Sequence, residues 1–176
     1  MVKMVCINGM PRSGKDTFVQ MVMELLPEGM CKNVSTVDYV KEVATELGWD
    51  GSKTPKNRKF LSDLKDLLAE WDDVPYRKVG AKYSFYENHL DMHRIAMPGL
   101  MFVHTREPEE IARFKEEYGA LTLIVRRAVV EDVEHSNHAD ANVFNFHYDV
   151  EIDNNGDLDM LKAAARKFVE EMGYRV

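Results

Sequence analysis

Cysteine and tryptophan are scarce: two of each in 176 residues. Two thiols cannot make a disulfide framework, and Cys6 sits inside an apolar run that reads as buried. Unpaired thiols suit a reducing cytosol, so a cytoplasmic location is expected. Long apolar runs are missing too. None nears the roughly 18 residues of a membrane span, so no membrane association is expected. The opening MVKMVCING is too short for the apolar segment of a secretory signal. Positive charge is in short supply, with 23 Lys and Arg against 30 Asp and Glu and a formal net charge of -7. Nucleic-acid binding rests on neutralising phosphates, so nucleic acid is not an expected partner. Any anion must be met by a local concentration of cations. There is no repeat and no low-complexity segment. What remains is an ordinary globular composition, 45% hydrophobic and 30% charged, at the length of one domain spanning 1–176.

Apolar runs and helical spacings then alternate along the chain. VKMVCIN (2–8) predicts a buried strand. After a glycine-bearing loop, Phe18, Val22, Leu25 and Leu26 recur at helical spacing, closed by Pro27 and Gly29. Val34–Val37 predicts a second strand, and Val37, Val40, Ala44 and Leu47 share a helical face that Gly48 ends. Thr54 can cap the next helix with Pro55 in its first turn. In that helix Phe60, Leu61, Leu64, Leu67, Leu68 and Trp71 form one stripe. Pro75 opens another helix, with Tyr76, Val79, Tyr83, Tyr86 and Leu90 inward. Two successive helices break the alternation and predict an inserted helical lobe over 49–94. Strands follow at 99–105 and 120–127, with a helix through EPEEIARFKEEYG between them. Residues 128–146 lack a pattern and read as a loop or flap. A last strand over 147–152 leads into a helix with Leu158, Leu161, Ala165, Phe168 and Met172 on one face. This order predicts an α/β fold of three layers. It has a parallel five-stranded sheet, order 2-3-1-4-5, with helices on both faces, a helical lobe and a short flap. Ligands in such sheets sit beyond the carboxyl ends of the strands.

At the first of those ends stands GMPRSGKDT (9–17). Gly9, Gly14 and Lys15 fit G-x-x-x-x-G-K, the phosphate-binding loop, and the strand-to-helix context is the one that this motif requires. Glycines let the backbone curl so that its N–H groups converge on one anion, and the positive end of the following helix adds to the field. The expected ATP contacts therefore run from Gly9 through Met10, Pro11, Arg12, Ser13 and Gly14 to Lys15, Asp16 and Thr17. Lys15 is placed to follow charge on the β and γ phosphates, with Arg12 on the other side or solvated at the loop tip. The motif asks for a hydroxyl directly after Lys15, but Asp16 stands there and the hydroxyl comes one place late, at Thr17. His104–Arg106 and Arg126–Arg127 end other strands. Cations flanking one cleft are what phosphoryl transfer needs. Lys53, Lys56, Arg58 and Lys59 crowd a helix start, against its dipole. An anionic substrate would offset that conflict; a solvated face is the alternative.

GKDT resembles the GKGT of adenylate-kinase-like nucleoside monophosphate kinases, where a residue also intervenes between Lys and Thr. RSGKDT resembles more specifically the loop of phage-type deoxynucleoside monophosphate kinases, and less fully that of animal-type phosphomevalonate kinases. VDYVKEVATELGWDG, KNRKFLSDL, HTREPEEI, SNHADA and DNNGDLDML are similar to further patches of that family, in the same order from 5 to 168. The resemblance implies ATP- and Mg²⁺-dependent transfer of a γ-phosphoryl group to a small phosphorylated acceptor, in first place a (deoxy)nucleoside monophosphate. It assigns Arg12, Lys15, Asp16 and Thr17 to phosphate and Mg²⁺, with Thr17 and Asp16 at the metal. It assigns Asp38, Lys41 and Arg58 to the acceptor, Arg106 to the acceptor phosphate and Arg126 to the transferred group. Arg127 is expected near ATP. Closure of lobe and flap over the substrates would exclude water.

The chain also departs from that pattern. His104 stands where the family has Asp, so Asp16 or Asp38 must supply the carboxylate that helps to hold Mg²⁺. Tyr39 replaces Pro, and Ala139 and Asp140 replace Ser and Glu of the flap. Asp38 has a second reading as a helix cap, Glu107 and Glu109 as partners of Arg106, and Trp49, Tyr83 and Tyr86 as base-stacking or core residues. His135, His138 and His147 lack a zinc-ligand spacing, and His89 and His93 read as a wet helix face. Two other functions stay open: a kinase of a non-nucleotide acceptor such as phosphomevalonate, and a nucleotide-binding sensor without turnover. Oligomeric state is open as well, a homodimer included.

Overall fold

The computed structural model describes residues 1–88, 99–131 and 142–176. Its strands are β1 (Lys3–Asn8), β2 (Cys31–Ser35), β3 (Leu100–His104), β4 (Leu121–Arg126) and β5 (Val150–Asp153). They form one parallel sheet in the order β2-β3-β1-β4-β5, the predicted order. The helices are α1 (Lys15–Leu25), α2 (Asp38–Glu46), α3 (Pro55–Asp72), α4 (Val74–Asn88), α5 (Pro108–Tyr118), the single turn α6 (Ala128–Glu131) and α7 (Leu158–Glu171).

The central strands read as unbroken apolar runs because both faces of the sheet are covered. Side chains alternate across a strand, so Val5 and Ile7 of β1 face α1 and α7, where Phe18, Val22 and Phe168 close the core. Met4 and Cys6 face the other way, toward Tyr76 and Val79 of α4 and Ile111 and Phe114 of α5. Phe18 and Phe168 meet edge to face at 5.6 Å. Cutting a buried phenylalanine of this kind to alanine costs about 3–5 kcal/mol. Cys6 and Cys31 are both buried and free. Burial pushes the Cys31 thiol up to about 12 and the Cys6 thiol higher still. Among the described residues no helix is long and apolar enough to cross a membrane.

Several boundaries differ from the sequence reading, each for a physical reason. β2 begins three residues earlier than expected, because Cys31, Lys32 and Asn33 pair with β3 through the backbone, whatever their polarity. β5 starts at Val150, not at His147. Just before it, Asp149 donates from its backbone to Thr122 O at 3.0 Å and accepts from Thr122 N and Oγ1 on its side chain, so side-chain bonds join the backbone contact there. The 128–146 segment opens with the helical turn α6. Thr54 caps α3 as expected, accepting from Asn57 N. The stripe along α3 is not covered as predicted. None of its residues is buried, and Leu67 and Trp71 are 62% and 76% exposed. α3 rests on α2 and α4 rather than on the sheet, so an amphipathic period gains only partial cover. Leu47 and Leu158, also expected inward, lie at helix ends and are exposed. The readings on His89, Leu90, His93, His135, His138, Ala139 and Asp140 fall outside the described residues.

Candidate functional site

The loop between β1 and α1 has the backbone that the motif implies. Gly9 and Gly14 have φ of 149° and 95°, and Arg12 takes the left-handed region at 66°. A Cβ on Gly9 would come within 2.6 Å of both Ser13 Oγ and Val125 O, and one on Gly14 within 2.2 Å of Asn154 Nδ2. Space as well as conformation thus excludes side chains at these two positions. α1 starts without a side-chain cap, its first helical bond running from Phe18 N to Gly14 O at 2.9 Å. The amides of its first turn are therefore left without helical partners, at the end of the helix that attracts anions. Lys15 is 9% exposed and folds back over its own loop, with Nζ 3.5 Å from Met10 O. The Ser13 hydroxyl is buried without a hydrogen-bond partner.

The loop is tethered from behind. Asn154, just after β5, donates from Nδ2 to Ser13 O at 2.7 Å and from its backbone to Arg126 O at 2.9 Å. Asn155 Oδ1 accepts from Ala128 N at 2.7 Å. Between these anchors lies a cleft of about 570 Å³ lined by Gly14, Thr17, Arg127, Asn154, Asp157 and Asp159, among others. Met10 and Pro11 form the wall of the loop, with Met10 packed on Ile124 and Val143.

On the other side of Lys15 stands His104, at the end of β3. Its Nδ1 is 3.6 Å from Asp16 Oδ1, and its Nε2 is buried without a partner. Burial lowers its pKa. Lys15 and Lys41 act in the same direction, while Asp16 and Asp38 oppose it. The imidazole is therefore neutral at pH 7, a ring where a carboxylate was expected. The same set of neighbours brings the loop residues Lys15 and Asp16 together with Asp38 and Lys41, which come from α2.

Asp38 does not cap α2; its Oδ2 accepts from Ser35 N at 2.8 Å. Arg58 lies exposed in the first turns of α3 and donates from Nε to Lys53 O. Arg106 follows β3 and is half-buried. Arg126 is paired within the protein in this structure. Its Nε and Nη2 form a fork with Glu131 at 2.7 and 2.6 Å, its Nη1 lies 3.7 Å from Glu151, and it stacks over Phe144 at 4.6 Å. The Glu131 pair raises the Arg126 pKa and lowers that of Glu131. Arg127 is exposed at the cleft. Trp49 donates its indole N–H to Ser52 O, and the partly buried Tyr83 packs on Tyr118 beside the core.

Thr17 and Asp16 fit a divalent cation in part. Both carry hard oxygen atoms: Thr17 lines the cleft, and the Asp16 carboxylate beside His104 is 85% exposed. Among the described residues no group of three or more His, Cys, Asp or Glu could hold a metal. A cation here would complete its shell with phosphate oxygens and water.

Four residues that the sequence reading did not single out support the loop or join the elements beside it. Asn8 and Tyr148 underlie the loop, Asn154 tethers it, and Lys65 pairs with Glu110 at 3.0 Å, fixing α3 to the start of α5. Glu110 also accepts from Thr105 Oγ1, next to Arg106. The available signal for Asn8 was a polar residue closing an apolar run.

No family model matches the chain, and no curated protein matches it either. Solved structures do. APS kinase of Mycobacterium tuberculosis, in complex with AMPPNP and APS, superposes with a TM-score of 0.53 at 13% identity, over 98% of each chain. The protein TT1252 of Thermus thermophilus gives 0.54 at 16% identity, over 97% of each. These likenesses show the fold, a parallel five-stranded α/β sheet of order 2-3-1-4-5 with a phosphate-loop motif after its first strand.

Proposed function

We propose that the chain is a phosphotransferase that uses ATP with Mg²⁺ to phosphorylate a small phosphorylated acceptor, a (deoxy)nucleoside monophosphate in first place. The observation that carries this reading is the loop itself. Its glycines are sterically obligatory, its lysine is buried against it, and uncapped amides open onto a cleft of nucleotide size. The likeness to an APS kinase fold supports the class, and the sequence resemblance supports the acceptor.

In this reading loop amides and Lys15 hold the triphosphate, with Arg12 at the outer edge and Arg127 beside the nucleoside. Asp38, Lys41, Arg58 and Arg106 take the acceptor, bringing its phosphate in line. Mg²⁺, bound through Thr17 and Asp16, would neutralise charge on the β and γ phosphates. Arg126 reaches the transferred group only after exchanging Glu131 for phosphate oxygens. His104 supplies no charge and separates Asp16 from Asp38.

A second reading, a nucleotide-binding sensor without turnover, draws on two observations: the neutral His104 at the strand end and the clamp of Glu131 on Arg126. One experiment separates the two. ADP release from ATP is followed with each common (d)NMP and with phosphomevalonate, beside calorimetric ATP binding, with Lys15→Ala as control. Acceptor-dependent ADP release, lost by roughly 10²–10³-fold in Lys15→Ala, supports the kinase. ATP binding without acceptor-dependent release supports the sensor, and absence of ATP binding sinks both.

A further inference from the structure

Asn8 is a costly choice for its position. It follows Val5, Cys6 and Ile7 into the core and is 1% exposed. A buried amide without partners costs about 1–3 kcal/mol in proteins, so its bonds have to be made, and each goes to a different segment. Oδ1 accepts from Gly9 N at 2.8 Å, inside the phosphate loop. Nδ2 donates to Arg106 O at 3.3 Å and to Tyr148 Oη at 2.8 Å. Tyr148 passes its own proton on to Val143 O, also at 2.8 Å. Val143 is fully buried against Met10 of the phosphate loop and Ile124. The Tyr148 ring packs on Phe146 at 5.2 Å. One amide and one phenol thus join three separate strand ends.

We infer that Asn8 and Tyr148 form a positioning relay, setting the Arg106 backbone and the 142–146 segment in register with the phosphate loop. Neither residue reaches a substrate; both act through Gly9, Arg106 and Val143. The chemistry suits the task. The amide supplies acceptor and donor at once, and the phenol accepts on one side and donates on the other. Burial pushes the Tyr148 pKa up to about 12, so the proton that holds Val143 stays in place across the neutral range. A leucine at position 8 has similar volume but none of the bonds. A phenylalanine at position 148 keeps the ring and loses only the link.

The kinetic consequence rests on the function proposed above; the structural one does not, and the test reads both. Tyr148→Phe is the milder variant and Asn8→Leu the stronger. In backbone hydrogen exchange, Tyr148→Phe is expected to speed exchange in peptides covering 142–148 and 104–107 together, with 55–72 unchanged. Faster exchange confined to 142–148, or no change, overturns the relay. In turnover, Tyr148→Phe costs kcat by about tenfold with acceptor, while its ATP affinity stays within about twofold because Asn8 still accepts from Gly9 N in the loop. Unchanged kcat overturns the positioning role. So does a parallel loss of ATP affinity and melting temperature, which marks plain destabilisation. If the unaltered protein turns over no acceptor, the proposed activity fails, and the exchange result alone decides the relay.

Discussion

The phosphate loop and the start of α3, on the helical side, offer donor groups of opposite kinds. The phosphate loop uses main-chain amides, which have no reach, so the backbone itself must be held. Hence Gly9 and Gly14 are walled in, Lys15 and Ser13 are buried, and Asn8 and Asn154 bond the loop from below and behind. The helical side carries Lys53, Lys56, Arg58 and Lys59 on long side chains at the start of α3, a helix with no buried residue. Long cations adapt to their target, so their scaffold needs less exact support. Buried support is concentrated where the groups on offer are main-chain amides.

That contrast can be broken experimentally. Gly9→Ala should be the most damaging small substitution in the molecule, since the new methyl meets Val125 O at 2.6 Å with φ at 149°. About 1–3 kcal/mol of stability should be lost, read as a lower melting temperature together with lost ATP binding. A variant that melts and binds like the parent would refute the walled-in loop. Arg58→Ala should leave stability unchanged and raise the acceptor KM by about tenfold at constant kcat, the signature of lost uniform binding. If kcat falls instead, the exposed arginine acts in the transition state and the contrast narrows.

The Arg126–Glu131 clamp allows a pH test. Its hydrogen bonds hold the Glu131 carboxyl below its ordinary value. The stabilisation is therefore complete above the unfolded glutamate pKa and is lost as pH falls through the lowered folded value. Glu131→Gln should flatten that acid limb of the melting-temperature profile and leave the neutral plateau nearly level. A profile identical to the parent would mean that the clamp contributes nothing. The smallest effect is expected at Trp71. Being 76% exposed, its replacement by alanine should change stability by no more than about 0.5 kcal/mol. A larger loss in chemical denaturation would show that α3 is covered in solution.

Legibility in the sequence followed the range of the interactions. The strand, loop and helix from Lys3 to Leu25 could be read because period-2 and period-3.6 patterns and the glycine spacing are local. The Thr54 cap was readable for the same reason. The parallel sheet followed from alternation and right-handed crossovers, whereas its strand order was an expectation that the structure bears out. The edges of β2 and β5 were not readable, because backbone pairing with β3 and the Asp149–Thr122 bonds decide them. Nor was the pairing of Arg126 with Glu131: a strand-end arginine looks the same in sequence whatever carboxylate lies near it.

Local chemistry was thus enough to specify a parallel α/β sheet, its glycine loop with Lys15, and the helices beside it. Those features arise from backbone preference and side-chain alternation within a few residues. Folding decided the rest. It set a neutral imidazole at His104 among Lys15, Asp16, Asp38 and Lys41, and it tied Asn154 to Ser13 across 141 residues. It also ran the buried bonds of Asn8 to Arg106 and Tyr148. These depend on which distant groups share one low-dielectric space, and only the packed chain brings them there.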